Sequence, residues 1–402
     1  MLSTTYLSTL LAATAAACNL YVASYDGNVT TLSLSTTADG GYESEITYTN
    51  PGCAGSPAWL TLDAANDVLY CLDEGNQTPN GSITAFRTSA SGELTVLSDR
   101  ETITGPVSSV LYGSNSSRAI ALSHYAGQAV STFSIAANGS FVPLQNFTFT
   151  LPGPGVNPDR QTGAYQHQVV LDPTGQFILV PDLGSDLVRI LHIDPSTNLL
   201  QEQPAIQMPP GSGPRHATFW SPDGAVSNGY GTNSTLYFYV VGELLNTING
   251  FRVSYPAAGG IHFTPVSSTN TFGGAPVPTG AAAAEISISP DNRFLIVSNR
   301  LDRTFKIPNF DPNNSTAEPS DSLANFIPQG DGTLLFTQIW PAGGLHPRHF
   351  SFNKAGDLIA VALQLSNRVV IHERNVTTGY IQWPVAANAV GEQPTTVVWD
   401  EE

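Results

Sequence analysis

Residues 168–193 read QVVLDPTGQFILVPDLGSDLVRILHI. Three runs rich in Val, Ile and Leu are separated by Asp-Pro-Thr-Gly and by Leu-Gly-Ser-Asp. Short β-branched runs punctuated by Pro, Gly and Asp read as strands, and turns this tight make them antiparallel neighbours. The pattern returns along the chain. Residues 285–306 (EISISPDNRFLIVSNRLDRTFK) and 348–372 (RHFSFNKAGDLIAVALQLSNRVVIH) repeat it. Residues 58–86 repeat it more loosely, a copy starts at Ser108, and another starts at Arg215 with an insertion. Each copy is followed by a further β-like run. The unit is therefore four strands in roughly 45–60 residues, the size of a propeller blade.

The two ends complete the count. Residues 19–32 (NLYVASYDGNVTTL) look like the second and third strands of a unit without its first. Residues 393–400 (QPTTVVWD) look like a first strand with nothing after it. Joined, they make one more blade and seal the ring with strand hydrogen bonds, which leaves only short, protected edges. The expectation is an all-β chain: a seven-bladed β-propeller with four-stranded antiparallel blades, closed by the C-terminal strand joining the N-terminal hairpin. It forms one domain over residues 18–402. Polar, turn-rich stretches near 225–235 and 308–332 are expected to be surface loops.

Composition narrows the partners. The chain has 402 residues, 12% of them charged, and a net charge of -17. So acidic a surface repels phosphate backbones and anionic lipid, so neither nucleic acid nor a membrane is an expected partner. Lysine occurs only at Lys306 and Lys354, so positive charge here means arginine, whose planar fork suits carboxylate or phosphate. No Cys/His cluster suggests zinc, and the acidic residues are too scattered for a calcium loop. No metal and no cofactor is expected. Oligomeric state is not legible.

Residues 5–17 are apolar and small, too short to span a membrane, and Ala15-Ala16-Ala17 offers a cleavage site. Residues 1–17 are read as a signal peptide. About ten Asn-x-Ser/Thr triplets, among them Asn28, Asn76, Asn115, Asn146, Asn233 and Asn375, fit a secreted glycoprotein. Cys53 and Cys71 are expected to pair in that compartment, leaving Cys18 over.

Functional candidates emerge from register. Pro-Arg-His occurs at 214–216 and at 347–349, each time entering the first strand of a unit. His167 and Glu285 precede the first strands of two other units, while Glu243 and Arg300 follow second strands. First and second strands are antiparallel, so all of these positions fall at one mouth of the central channel. The catalytic candidates are His167 and Glu243, and the substrate-binding candidates are Arg215, Arg300 and Arg348. Two proton-moving groups among three fixed positive charges suit a small anionic substrate and proton transfer. His216 and His349 are expected to hydrogen-bond inter-blade loops.

The motifs YQHQVVLDPTGQFILVPDLGSDLVRI, GPRHATFWSPDG, GELLNTI, AAEISISPDNRFLIVSNR and HPRHFSFNKAGDLIAVALQLSNRVVI occur in this order. Together they resemble the seven-bladed β-propeller lactonase family, which includes 3-carboxy-cis,cis-muconate lactonizing enzyme and the propeller type of 6-phosphogluconolactonase. The resemblance implies a metal-free site. Its histidine falls on His167, its glutamate on Glu243 and its arginines on Arg215 and Arg300, with Arg348 matching a later motif. Where the family often has a second histidine two places before the first, this chain has Tyr165. The implied function is lactone formation or hydrolysis on a small carboxylate, of the carboxymuconate-cyclase type. Sugar-lactone hydrolysis of the 6-phosphogluconolactonase type is the alternative, and a non-catalytic secreted ligand-binding propeller is a further one. In the cyclising direction, Arg215 and Arg300 would clamp carboxylates and His167 or Glu243 would supply a proton. In the hydrolytic direction, one of those two would activate water while an arginine holds the oxyanion.

Overall fold

The computed structural model describes residues 17–114, 117–224 and 234–401. The expected leader, all but Ala17, lies outside the described residues. So do Asn115, Asn233 and most of the insertion near 225–235. Seven four-stranded antiparallel sheets are arranged as blades. Blade 1 takes three strands from residues 18–50 and its innermost strand from Pro394–Asp400. Blades 2 to 7 follow in order over residues 57–102, 106–148, 170–207, 214–270, 282–341 and 347–389. One short 3-10 turn, Ala64–Asn66, is the only helical element among the described residues.

Closure occurs as the sequence implied. Pro394–Asp400 pairs antiparallel with Cys18–Ser24, from Asn19 opposite Asp400 to Ser24 opposite Pro394. Tyr21 Oη donates to Asp400 Oδ2 across this seam at 2.8 Å. The first and last strands of the propeller are thus held in one sheet.

Burial explains which runs looked continuously apolar. Second strands such as Phe177–Asp182, Leu236–Gly242, Leu295–Arg300 and Leu358–Leu363 are buried at every position. Both of their faces pack against neighbouring blades, so alternation disappears. The outermost strands, such as Tyr42–Asn50, are largely exposed and carry polar residues. Apolar clusters fill the wedges between successive blades. One of them joins Leu20, Val22 and Val397 to Leu358 and Ile371, so the seam is also a core.

Blade 6 departs from the sequence reading. Phe305–Ile307, read as its third strand, pairs instead with Glu318–Ser320 in a separate two-stranded excursion. The third strand is Ser322–Pro328, inside the stretch read as surface loop, and Leu323, Ala324 and Phe326 are fully buried there. Asp302 and Asp321 turn the chain out and back: Asp302 Oδ2 accepts from the Ser322 N–H, and Asp321 accepts from the N–H groups of Leu301, Arg303 and His346. A bidentate Arg368–Glu318 pair ties the excursion to blade 7.

Cys53 and Cys71 form a disulfide with Cα atoms 5.9 Å apart. Cys53 lies in the loop entering blade 2, and Cys71 on that blade's buried second strand. Cys18 is free and partly covered.

Candidate active site

The innermost strands begin with a shared irregularity. Their pairing with the second strand shifts register after Pro57, Pro106, Pro214, Ala283, Pro347 and Pro394. Each shift is a β-bulge that sets an extra residue against the partner strand, and bulges re-aim side chains. Proline fits the first position because no N–H is required of it there. The repeated Pro-Arg-His is explained by this geometry. In a regular pleat, consecutive side chains point to opposite faces. At the bulge, Arg215 reaches Glu243 while its neighbour His216 reaches His167 and Glu285, so both serve the axis.

Glu243, at the end of the second strand of blade 5, is 1% exposed. Arg215 Nη1 and Arg300 Nη2 meet its Oε2 at 2.6 and 2.7 Å, and Arg160 Nη2 meets its Oε1 at 2.5 Å. Burial alone would raise this carboxyl, but Arg300, Arg215 and Arg160 outweigh it and hold it well below the usual range. Three guanidiniums against one carboxylate leave a local excess of positive charge. Burial and the adjacent Arg300 disfavour the charge on Arg215, yet a guanidinium remains protonated in a protein. Arg300 is anchored further by Ala282 O and Ala283 O, each at 3.3 Å, and by His346 Nε2 at 3.4 Å.

Arg348 is brought to the same mouth but not onto Glu243. It lies 3.8 Å from Glu74 Oε2 and over the Tyr25 ring, 5.4 Å from its centroid. Tyr25 Oη donates to Glu74 in turn.

His167 precedes the first strand of blade 4. Its N–H donates to Pro181 O at 2.9 Å, and its Nδ1 lies 3.2 Å from His216 Nε2. Burial, then Arg215 and His216, push its pKa well below the ordinary value. The ring is therefore neutral at pH 7 and available as a base. Tyr125 packs edge-on against it at 5.5 Å and stacks on Tyr165 at 4.4 Å. Tyr165 thus forms an aromatic rim beside the histidine, with Thr162 Oγ1 2.5 Å from its hydroxyl.

The structure brings together His167, Glu243, Arg215 and Arg300, with Arg348 at their side. Sequence reasoning missed Arg160. It sits in the long loop between blades 3 and 4, with a side chain 43% exposed, where no strand register announces it. His216 and His349 also differ from expectation. His349 Nδ1 does accept from the Val397 N–H of the adjoining blade at 3.4 Å, but both rings converge on Glu285 in the channel. No cluster able to hold a metal occurs among the described residues.

Fold and site together define a seven-bladed propeller with a buried, neutral histidine and a cluster of arginines around a buried glutamate. The sequence profile described as "Lactonase, 7-bladed beta-propeller" matches residues 19–399, and the chain belongs to that family. It is 29% identical over 345 residues to a protein of Arthroderma benhamiae named probable 6-phosphogluconolactonase, covering 86% of this chain and 80% of that one. It is 28% identical over 329 residues to the 6-phosphogluconolactonase of Formosa agariphila, covering 81% and 83%. The periplasmic gluconolactonase of Pseudomonas aeruginosa has the same fold, with a TM-score of 0.75 at 23% identity over 96% of this chain and 99% of that one.

Proposed function

We propose that the protein hydrolyses lactones, with a phosphate-bearing sugar lactone of the 6-phosphogluconolactone type as its substrate. The observation that carries this reading is a neutral, buried His167 beside arginines organised by an ionised Glu243. His167 takes a proton from water, and the hydroxide adds to the lactone carbonyl. The oxyanion is held by a guanidinium as the tetrahedral carbon forms. On collapse the ring C–O bond breaks, and the leaving alkoxide takes the proton back from His167. Glu243 has both oxygens committed to arginines, so its role is to fix their geometry. Arg348, with the loosest ion pair of the group, is the guanidinium best placed to clamp the substrate anion.

The muconate-cyclising direction requires a group that donates a proton to carbon at neutral pH. A neutral His167 and an ionised Glu243 supply none, which favours hydrolysis. Names carried by relatives in two kingdoms support the sugar-lactone class over the muconate class. The excess of guanidinium over carboxylate suits a dianionic phosphate without any lysine. We also propose that the protein is exported and glycosylated: the leader, the exposed sequon residues Asn76 and Asn375, and the Cys53–Cys71 bridge suit an oxidising compartment.

The test is ring opening followed against the spontaneous background. The substrates are 6-phosphogluconolactone, gluconolactone and 3-carboxymuconolactone, with 3-carboxymuconate run for closure. Preferred opening of the phosphorylated sugar lactone is expected. Closure of 3-carboxymuconate without sugar-lactone turnover would replace this reading with the cyclase.

A further inference from the structure

Adjoining His167 is a second buried assembly that the reaction as written does not use. Glu285 is 4% exposed, His216 2% and His349 8%. Glu285 Oε2 lies 2.9 Å from His216 Nδ1 and 3.6 Å from His349 Nε2, while its Oε1 accepts from the Ile286 N–H at 2.9 Å. Trp59 holds both imidazoles edge-on, at 5.7 and 5.1 Å. His216 Nε2 then meets His167 Nδ1 at 3.2 Å.

The protons in this chain can be assigned one after another. His349 Nδ1 accepts a backbone N–H, so its proton sits on Nε2 and points at Glu285. Glu285 lies below the ordinary carboxyl range: burial opposes this, but its contact with His216 and the N–H donated by Ile286 outweigh it, and as a carboxylate it accepts from both. A carboxylate only accepts, so His216 must carry its proton on Nδ1. Burial keeps His216 neutral, which leaves Nε2 as a lone pair. That lone pair can be satisfied only by a proton on His167 Nδ1. His167 is neutral too, so its remaining lone pair is on Nε2.

We propose that Glu285 and His216 are positioning residues that fix the tautomer of His167, holding Nδ1 protonated and Nε2 as the basic atom. This rests on the reading of His167 as the hydrolytic base. In a serine-protease triad, replacing the orienting carboxylate by an amide inverts the histidine tautomer and costs about 10^4 in kcat. Glu285→Gln should act similarly through one further ring. The Ile286 N–H retains the amide oxygen, so the amide NH2 faces His216 Nδ1. His216 then accepts there, donates from Nε2, and leaves the lone pair of His167 on Nδ1.

The tautomer is read directly by two-bond 1H–15N spectra of the eight histidines, with His167→Gln identifying the His167 signals. The expected wild-type result is Nδ1–H at His167, and the expected Glu285→Gln result is Nε2–H. Lactone kcat should fall at least about 10^2-fold in Glu285→Gln with KM little changed. Nε2–H at His167 in the wild type, or unchanged kcat in Glu285→Gln, would overturn the proposal. The wild-type spectrum decides even if the variant does not fold. An Nδ1–H signal in a protein with no lactone turnover supports the relay and removes only the hydrolase reading.

Discussion

Glu243→Gln separates an organising carboxylate from a reacting one. The substitution preserves shape but removes the charge that neutralises three guanidiniums. Arg215 and Arg300 have side chains only 4% and 8% exposed, so their pairs with Glu243 operate away from water. At an effective dielectric near 20, a charge pair about 4 Å apart is worth ~4 kcal/mol before desolvation. Arg160 is screened by solvent and adds at most ~1 kcal/mol. Desolvation of the ions offsets much of this in the native protein, but removing one partner leaves the rest of that cost unopposed. A loss of about 3–5 kcal/mol in unfolding free energy is expected, against a usual total of about 5–15 kcal/mol. The folded pKa of Glu243 is depressed, so its contribution is present above the unfolded value of about 4.3 and disappears as pH falls through the folded value. The gap between wild type and variant should therefore close in acid. Urea denaturation at pH 7 measures the gap, and its closing is followed below pH 4, toward the depressed folded value. Added phosphate should stabilise the variant more than the wild type. The folded variant should keep measurable lactone turnover. If Glu243→Gln is as inactive as His167→Ala while its stability matches the wild type, Glu243 is the base and the organising role is wrong.

Other outcomes follow from the same geometry. His167→Ala should lower kcat by about 10^2–10^4 without unfolding the protein, checked by initial rates and circular dichroism. The histidines give the fold an acid limit: burial first of all pushes His124 and His349 to about 4 and His346 to about 3. Depressed histidines bind more protons when unfolded, so stability should fall as pH drops below about 6.5, by up to ~1.4 kcal/mol per pH unit for each, measurable by calorimetry across pH 7 to 4. Replacing Cys53 and Cys71 together by serine should cost about 3 kcal/mol, the closure entropy of a loop spanning their sequence separation of 18, read from denaturation midpoints.

The architecture was legible because each wedge between blades demands the same fully buried, mostly apolar second strand, and such runs recur visibly, as in FILVPD, LYFYVVG, LIVSNR and LIAVAL. Blade 6 misled because Phe305–Ile307 follows its second strand at the spacing where a third strand belongs. The true strand, Ser322–Pro328, comes only after an excursion anchored by Arg368 and Glu318. His167, Glu243, Arg215, Arg300 and Arg348 could be found because strand ends fix them at one mouth. Arg160 and Tyr125 could not, since their approach to Glu243 and His167 depends on how loops fold over the ring. The link from Glu285 through His216 was hidden for a different reason. It needs two adjacent residues, Arg215 and His216, to serve one axis, which the pleat forbids and only the bulge permits.

That bulge has a bearing on how such a protein changes over generations. It occurs in six of the seven blades, so the molecule holds a set of near-equivalent sockets around a single point. Arg215 with His216 fills one, Arg348 with His349 another, and Ala284 with Glu285, Ala58 with Trp59, Val107 with Ser108 and Thr395 with Thr396 fill the rest. The second strands, buried at every position, carry much of the packing between blades, and the sockets lie at strand ends beside them. Duplication of one blade produces symmetry without chemistry, and chemistry begins when the sockets diverge. A change of two adjacent residues in one socket would therefore alter what faces the axis while His167, Glu243 and Arg300, which lie outside the sockets, stay in place.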